Sequence, residues 1–120
     1  MAKAFDFCVS DDPNWDYTQD KDASQAIYVA LKDKYRMLHY SGDSDGAVPT
    51  LGTQRWIEEV NWPITKAWTP YMVDGGLAGY YENRGKFTFM TMHGAGHMVP
   101  QDKRKESYHG IFNWLFDRPL

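Results

Sequence analysis

Residues 35–46 read Tyr-Arg-Met-Leu-His-Tyr-Ser-Gly-Asp-Ser-Asp-Gly, a short apolar run that stops at an acidic loop containing glycine. The run has the length of a buried β-strand, although its periodicity alone does not separate a strand from a helix. A second unit of this kind lies further along the chain, where Lys86–Met92 ends at His-Gly-Ala-Gly-His over residues 93–97. A predicted helix follows each unit, so the order strand, loop, helix occurs twice and indicates an α/β fold. Ligands and catalytic groups of open α/β sheets lie on loops of this kind.

Apolar periodicity and turn residues predict the remaining elements. We expect helices over Ala23–Lys34, from about Pro49, and over Lys103–Phe116. A hairpin is expected between Leu77–Tyr81 and Lys86–Met92. Residues 61–76 contain two prolines and two glycines and are expected to be irregular, which leaves about three strands. The predicted apolar stripes are Ala23, Ile27, Leu31 and Tyr35 on the first helix, Thr53, Trp56, Ile57 and Val60 on the second, and Tyr108, Ile111, Phe112 and Leu115 on the last.

Composition and charge exclude several classes of protein. The 120 residues are 42 % hydrophobic and 24 % charged, which suits one globular domain or less and does not suit a disordered chain. A formal net charge of -3 argues against a nucleic acid or an anionic membrane as partner. No apolar run approaches the ~20 residues that span a bilayer. The start of the chain lacks the pattern of a signal peptide, and a single cysteine, Cys8, excludes an internal disulfide framework.

Asp45 and His97 stand on the two loops that contain glycine, 52 residues apart. A Ser-His-Asp triad needs a histidine that takes the proton of the serine hydroxyl. It also needs a carboxylate that holds this histidine in one tautomer and stabilises the imidazolium. In α/β-hydrolases the acid precedes the histidine along the chain, as it does here. The two residues are therefore candidates for the acid and the base of such a triad.

Two other kinds of site compete with this interpretation. His93 and His97 are four residues apart, the spacing of zinc ligands on a helix, but two glycines lie between them and disfavour a helix. Asp43 and Asp45 do not match the ligand positions of a calcium loop, so we expect no metal. The aromatic side chains of residues 56–71 are able to stack on sugars or fill a protein interface. We expect them to pack in the core and at the sheet edge instead.

Both loops resemble segments of one enzyme family. Tyr40-Ser41-Gly42-Asp43-Ser44-Asp45-Gly46-Ala47-Val48-Pro49 resembles the acid-bearing segment of the serine carboxypeptidases, and His93-Gly94-Ala95-Gly96-His97-Met98-Val99-Pro100 resembles their histidine-bearing segment. The resemblance covers almost the whole chain. It implies the C-terminal part of an alpha/beta-hydrolase sheet, and the release of C-terminal amino acids from peptides without a cofactor.

The resemblance also implies roles for single residues. Asp45 becomes the triad acid, His97 the base, and Met98 part of the pocket for the leaving C-terminal residue. Asp43 and His93 fall at positions that the family does not use in the triad. We expect loop hydrogen bonds for Asp43 and a surface or packed position for His93.

A nucleophile is missing from these motifs. The family elbow is Gly-x-Ser-x-Gly, which none of the serines matches: Ser10, Ser24, Ser41, Ser44 and Ser107. The resemblance implies that residues 1–120 are the C-terminal segment of the domain and that the upstream portion supplies the serine and the oxyanion hole. Because members of a triad act as a unit, the isolated chain is expected to be inactive. Three interpretations stay open: the light chain of a two-chain carboxypeptidase, an expressed fragment or truncated gene product, and a non-catalytic structural or protein-interaction subunit.

The expected partner follows from the sheet. Strands of a doubly wound sheet are buried on both faces, and an unpaired edge promotes aggregation. We therefore expect either an upstream portion or heavy chain that carries the serine, or a self-associated dimer. Because the family has a cysteine near this place bonded to an upstream cysteine, the resemblance implies a free thiol or an interchain disulfide at Cys8. It also implies a lysosomal, vacuolar or secreted protein, while the sequence itself leaves a cytoplasmic location open.

Overall fold

A four-stranded mixed sheet forms the centre of the protein. The structure is a computed structural model that describes residues 24–120. The strands lie in the spatial order β1-β4-β3-β2. β1 and β4 run parallel, whereas β4 with β3 and β3 with β2 form antiparallel pairs. Their bounds are β1 Met37–Gly42, β2 Lys66–Val73, β3 Gly76–Arg84 and β4 Phe87–Met92.

Helices flank this sheet, so the predicted α/β class is confirmed. Their bounds are α1 Gln25–Leu31, α2 Thr50–Glu59, α3 Val99–Asp102 and α4 Arg104–Leu115. On α2, Thr53 and Ile57 are buried as the periodicity predicts. The predicted stripe on α1 is wrong for its described members, because Ile27, Leu31 and Tyr35 are not buried, and Ala23 lies outside the described residues. Instead the Tyr28 ring meets the edge of Phe87, with centroids 5.9 Å apart. Among residues 24–120 no helix is long and apolar enough to cross a membrane.

β4 supplies the core on both faces of the sheet, because all six of its residues are buried. Phe87 and Phe89 pack in one cluster with Ile57 of α2. Met90 and Met92 point to the other face, where they pack in a second cluster. A strand with neighbours on both faces has no solvent-facing positions, which explains the continuous apolar run in the sequence.

The strand β2 corrects the prediction of an irregular segment over residues 61–76, and raises the strand count from about three to four. Pro70 is tolerated because β2 is an edge strand, where a missing N–H donor costs little. The two glycines mark a tight hairpin rather than a loop. Asp74 and Gly75 have φ of 51° and 78° and connect Val73 to its pairing partner Gly76. Two consecutive residues of positive φ are what a two-residue turn between twisted strands requires.

Helix α4 contacts the sheet through small residues, so its predicted apolar stripe is wrong in part. Ser107 and Gly110 are its buried positions. A Cβ on Gly110 would lie 2.8 Å from the Met90 sulfur, so a larger residue here would require the Met90 side chain to shift. Tyr108 and Leu115 are 65 % and 57 % exposed. Ile111 and Phe112, the other two members of that stripe, are half-buried.

Candidate active site

The two loops of interest meet at one edge of the sheet because β1 and β4 are parallel neighbours. Gly42 at the end of β1 pairs with Met92 at the end of β4. The chains that leave these strands therefore emerge side by side, although they are 50 residues apart in sequence. Backbone bonds connect them: the Asp43 N–H donates to the Met92 carbonyl at 3.2 Å, and the Ser44 N–H donates to the Ala95 carbonyl at 2.9 Å.

Asp45 and His97 form a hydrogen-bonded pair across these loops. His97 Nδ1 lies 3.0 Å from Asp45 Oδ2. The other carboxylate oxygen accepts the N–H groups of Ala47 at 2.8 Å and Val48 at 3.0 Å. The bond with His97 first, and then these backbone bonds, lower the pKa of Asp45 below its ordinary value. Asp45 is therefore ionised at neutral pH, because its pKa lies below an ordinary value that is already acidic.

The exposure of the pair is asymmetric. The Asp45 side chain is 7 % exposed, whereas the His97 ring is 58 % exposed. A carboxylate only accepts hydrogen bonds, so the proton of a neutral His97 must sit on Nδ1. Nε2 then carries the free lone pair, and no residue of 24–120 hydrogen-bonds to it. The arrangement holds the imidazole in one tautomer with its basic nitrogen pointing away from the acid.

Glycines allow the two loops to come this close. A Cβ on Gly42 would lie 2.3 Å from the carbonyl oxygens of both Ala95 and Gly96. Gly94 has a φ of +70°, which only glycine adopts without strain. The glycines therefore set the distance between the loops and the direction of the histidine loop.

A second acid–histidine pair lies beside the first. Asp43 accepts hydrogen bonds within the loops, as expected: the Gly94 N–H donates to Oδ1 at 2.7 Å. His93 is exposed, as expected for a surface histidine, but its Nδ1 also lies 2.7 Å from Asp43 Oδ2. Partial burial raises the pKa of Asp43, but the bonds with His93, Gly94 and Ser44 outweigh it and lower the pKa overall. In the sequence this pair is marked only by its distance from the first one: Asp43 lies two residues before Asp45, and His93 lies four residues before His97.

The remaining candidates have different positions. The Met98 side chain is 48 % exposed and follows His97 directly, where it precedes α3. Cys8 lies outside the described residues. Within 24–120, no three His, Cys, Asp or Glu side chains gather around a point that would hold a metal ion.

Three serines of the described residues, Ser41, Ser44 and Ser107, are buried or hydrogen-bonded to groups other than His97. Ser41 and Ser107 are buried, and the Ser107 hydroxyl donates to the Val99 carbonyl. The Ser44 hydroxyl donates to Asp43 at 3.2 Å. Residues 24–120 thus bring Asp45 and His97 together, and no serine of this range is hydrogen-bonded to His97.

Comparison with known proteins assigns this arrangement to a family. The family model for serine carboxypeptidases matches residues 2–117. The chain belongs to the serine carboxypeptidase family. It is 40 % identical over 114 residues to serine carboxypeptidase-like 17 and 40 % identical over 111 residues to serine carboxypeptidase-like 13, both of Arabidopsis thaliana. Each match covers 89 % of this chain and 25 % of the relative.

Further members of the same family match the chain over a shorter stretch. Serine carboxypeptidase-like 1 of Arabidopsis thaliana is 44 % identical over 89 residues, which is 72 % of this chain and 20 % of the relative. The chain therefore spans about a quarter of the length of the curated relatives that it matches. The mixed sheet with flanking helices is compatible with the C-terminal portion of an α/β-hydrolase.

Proposed function

We propose that residues 1–120 are the C-terminal segment of a serine carboxypeptidase-like α/β-hydrolase domain and supply its acid and its base. An upstream portion supplies the nucleophilic serine and the oxyanion hole. The observation that carries the proposal is the 3.0 Å bond between Asp45 Oδ2 and His97 Nδ1, which leaves Nε2 free on the exposed side of the ring. Such a pair is what a serine hydroxyl needs in order to pass its proton to the histidine as it attacks.

In this mechanism His97 accepts and donates the proton in each step, as general base and then as general acid. Nε2 takes the proton of the serine hydroxyl as the oxygen attacks the peptide carbonyl, and then gives it to the leaving amino group of the C-terminal residue. It next takes a proton from the water that attacks the acyl-serine, and returns it to the serine oxygen. Asp45 keeps the ring in place and stabilises the imidazolium. Met98 contributes an apolar wall to the pocket for the leaving residue.

The unpaired edge of the sheet supports an upstream partner. Among the described residues, β1 has a neighbouring strand on one side only, and its backbone groups on the other side are free to pair. The stripe on α4 adds exposed apolar surface, because Tyr108, Leu115 and the following Phe116 are all more than half exposed. We propose that the upstream portion, or a heavy chain bonded through Cys8, pairs with β1 and covers this surface.

Location follows from family membership. We propose a vacuolar, lysosomal or secreted protein that works in an acidic environment. The lowered pKa of Asp45 suits such a site, because this carboxylate stays ionised at a pH where an ordinary one begins to protonate.

The test uses natively purified protein. Its intact mass is measured without and with a reductant, and the sample is treated with a fluorophosphonate probe, which labels only activated serines. We expect reduction to release a second chain, the probe to label that chain, and an N-blocked dipeptide to lose its C-terminal amino acid. Asp45→Asn and His97→Gln should each abolish labelling and hydrolysis. Asp74→Asn is the matched control, because it removes an exposed carboxylate that pairs with Lys105 rather than with a histidine.

A non-catalytic role is the alternative function. The exposed apolar surface of α4 and the free edge of β1 favour it equally, because a structural partner would cover both. A sample whose mass matches these 120 residues alone, or a multiple of them, and that the probe does not label would exclude the two-chain enzyme. A second chain without a reactive serine would favour the interaction subunit.

A further inference from the structure

The carboxylate of Asp43 bonds two consecutive residues of the histidine loop. Oδ1 accepts the Gly94 N–H, and Oδ2 contacts Nδ1 of His93, both at 2.7 Å. We propose that Asp43 and His93 form a positioning pair, which fixes the histidine loop against the acid loop so that His97 meets Asp45. This inference rests on the proposed function of Asp45 and His97, and adds two residues that support their geometry without touching the reacting atoms.

The position of the pair explains why it controls the loop. β4 ends at Met92, and the chain turns away from the sheet at Gly94, whose φ is +70°. His97 follows only three residues later. A carboxylate that binds the N–H of Gly94 holds this turn at its start, so its loss would let the whole segment that carries the histidine move.

Other backbone hydrogen bonds also fix the histidine loop. The Ser44 N–H donates to the Ala95 carbonyl at 2.9 Å, and the Gly96 N–H donates to Asp102 at 2.8 Å. The loop is therefore bonded at residues 94, 95 and 96 in succession. Asp43 is the member of this series whose side chain crosses from one loop to the other.

The chemistry of Asp43 also suits support rather than reaction. The Asp43 side chain is 34 % exposed, so it is open to water to a much greater extent than the 7 % of Asp45. Asp43 is ionised, because its hydrogen bonds lower its pKa. A donor on His93 Nδ1 then makes a charge-assisted bond, which is shorter and stronger than a neutral one.

The experiment follows the proton on His97 Nδ1 in the 120-residue chain. Histidines are labelled with 15N, and the rate at which this proton exchanges with water is measured by NMR. Asp43→Ala and His93→Ala should each raise this rate ~10-fold or broaden the signal beyond detection, because each removes a charge-assisted bond. His93→Gln keeps an N–H donor and should restore most of the protection. Asp74→Asn is the control for the loss of one exposed carboxylate.

The outcomes separate this inference from the proposed function. If the wild-type chain shows no protected proton on His97, the bond with Asp45 is wrong and both proposals fail. If the proton is protected in the wild type and equally protected in Asp43→Ala and His93→Ala, the positioning pair is refuted and the proposed function stands. A urea titration of each variant tests global unfolding. Should Asp43→Ala not fold, the comparison of His93→Ala with His93→Gln decides alone.

Discussion

Gly42→Ala is the substitution that most directly tests how the two loops are brought together. The added Cβ would lie 2.3 Å from two backbone oxygens, those of Ala95 and Gly96. Real contacts of this kind are longer than 3.0 Å, so the histidine loop has to retreat by about 1 Å. The obstacle is backbone that hydrogen-bonds to the facing loop, and it cannot rotate away as a side chain would.

The expected energies follow from this geometry. Overpacking at a site without freedom to adjust costs about 1–3 kcal/mol. Gly46 stands four residues further along the same loop and has nothing within 4 Å of the position of its Cβ. Gly46→Ala should therefore be neutral or stabilise the fold by about 0.4–1 kcal/mol, because alanine reduces the entropy of the unfolded chain. The two variants should differ by about 1–4 kcal/mol in the free energy of unfolding.

Urea titrations followed by tryptophan fluorescence measure this difference. With a slope of about 1–2 kcal/mol per molar urea, the urea midpoints of the two variants should lie about 0.5–4 M apart. Gly42→Ala should also expose the Nδ1 proton of His97 to exchange with water, because a displacement of about 1 Å would break its hydrogen bond with Asp45. A displacement of this size is enough to lower the rate of a positioned reaction by about two orders of magnitude. Equal midpoints for the two variants would show that the loops do not approach as closely as described, and would refute the reasoning.

Three further predictions concern stability. Gly52→Ala, on an open face of α2, should stabilise the fold by about 0.5–1 kcal/mol in a urea titration, and a loss would contradict a helical position. Phe87→Ala should cost about 3–5 kcal/mol because the ring is fully buried, whereas Phe116→Ala, more than half exposed, should cost under about 1 kcal/mol; equal losses would refute this core. Burial lowers the pKa of His39 in the folded chain. As the pH drops, His39 therefore binds a proton in the unfolded chain before it does so in the folded one. The free energy of unfolding should then fall as the pH drops below about 6.5. The midpoints of urea titrations at pH 7.5 and at pH 5.5 should therefore differ more in the wild type than in His39→Asn.

The sequence predicts the parts of this fold that local chemistry controls. The apolar runs that end at glycine loops locate β1 and β4, and the motifs place Asp45 and His97 on the loops that the structure brings together. The periodicity of α2 is equally clear, because one face of that helix alone meets the sheet. In these cases the pattern and the tertiary contacts impose the same requirement.

The prediction fails where tertiary contacts decide. Pro70 reads as a strand breaker until the strand is known to lie at an edge, and Asp74–Gly75 forms a hairpin turn that the glycine content alone conceals. On α4, Gly110 is buried against the sheet in place of the predicted apolar stripe, because the small glycine lets the helix approach Met90 closely. The bond between Asp43 and His93 joins residues 50 positions apart and has no local signature.

The parallel pairing of β1 with β4 has a consequence for folding. The antiparallel pairs between β2, β3 and β4 join neighbouring segments through tight turns, whereas β1 reaches β4 only by closing a loop of about 50 residues. Long-range closure is slow relative to local hairpins, so we expect β1 to dock last. Stopped-flow refolding should then show hairpin formation before the ring of Tyr28 meets Phe87. A newly synthesised chain would accordingly hold His97 apart from Asp45 until β1 has docked, so the hydrogen bond between them depends on the integrity of the whole sheet.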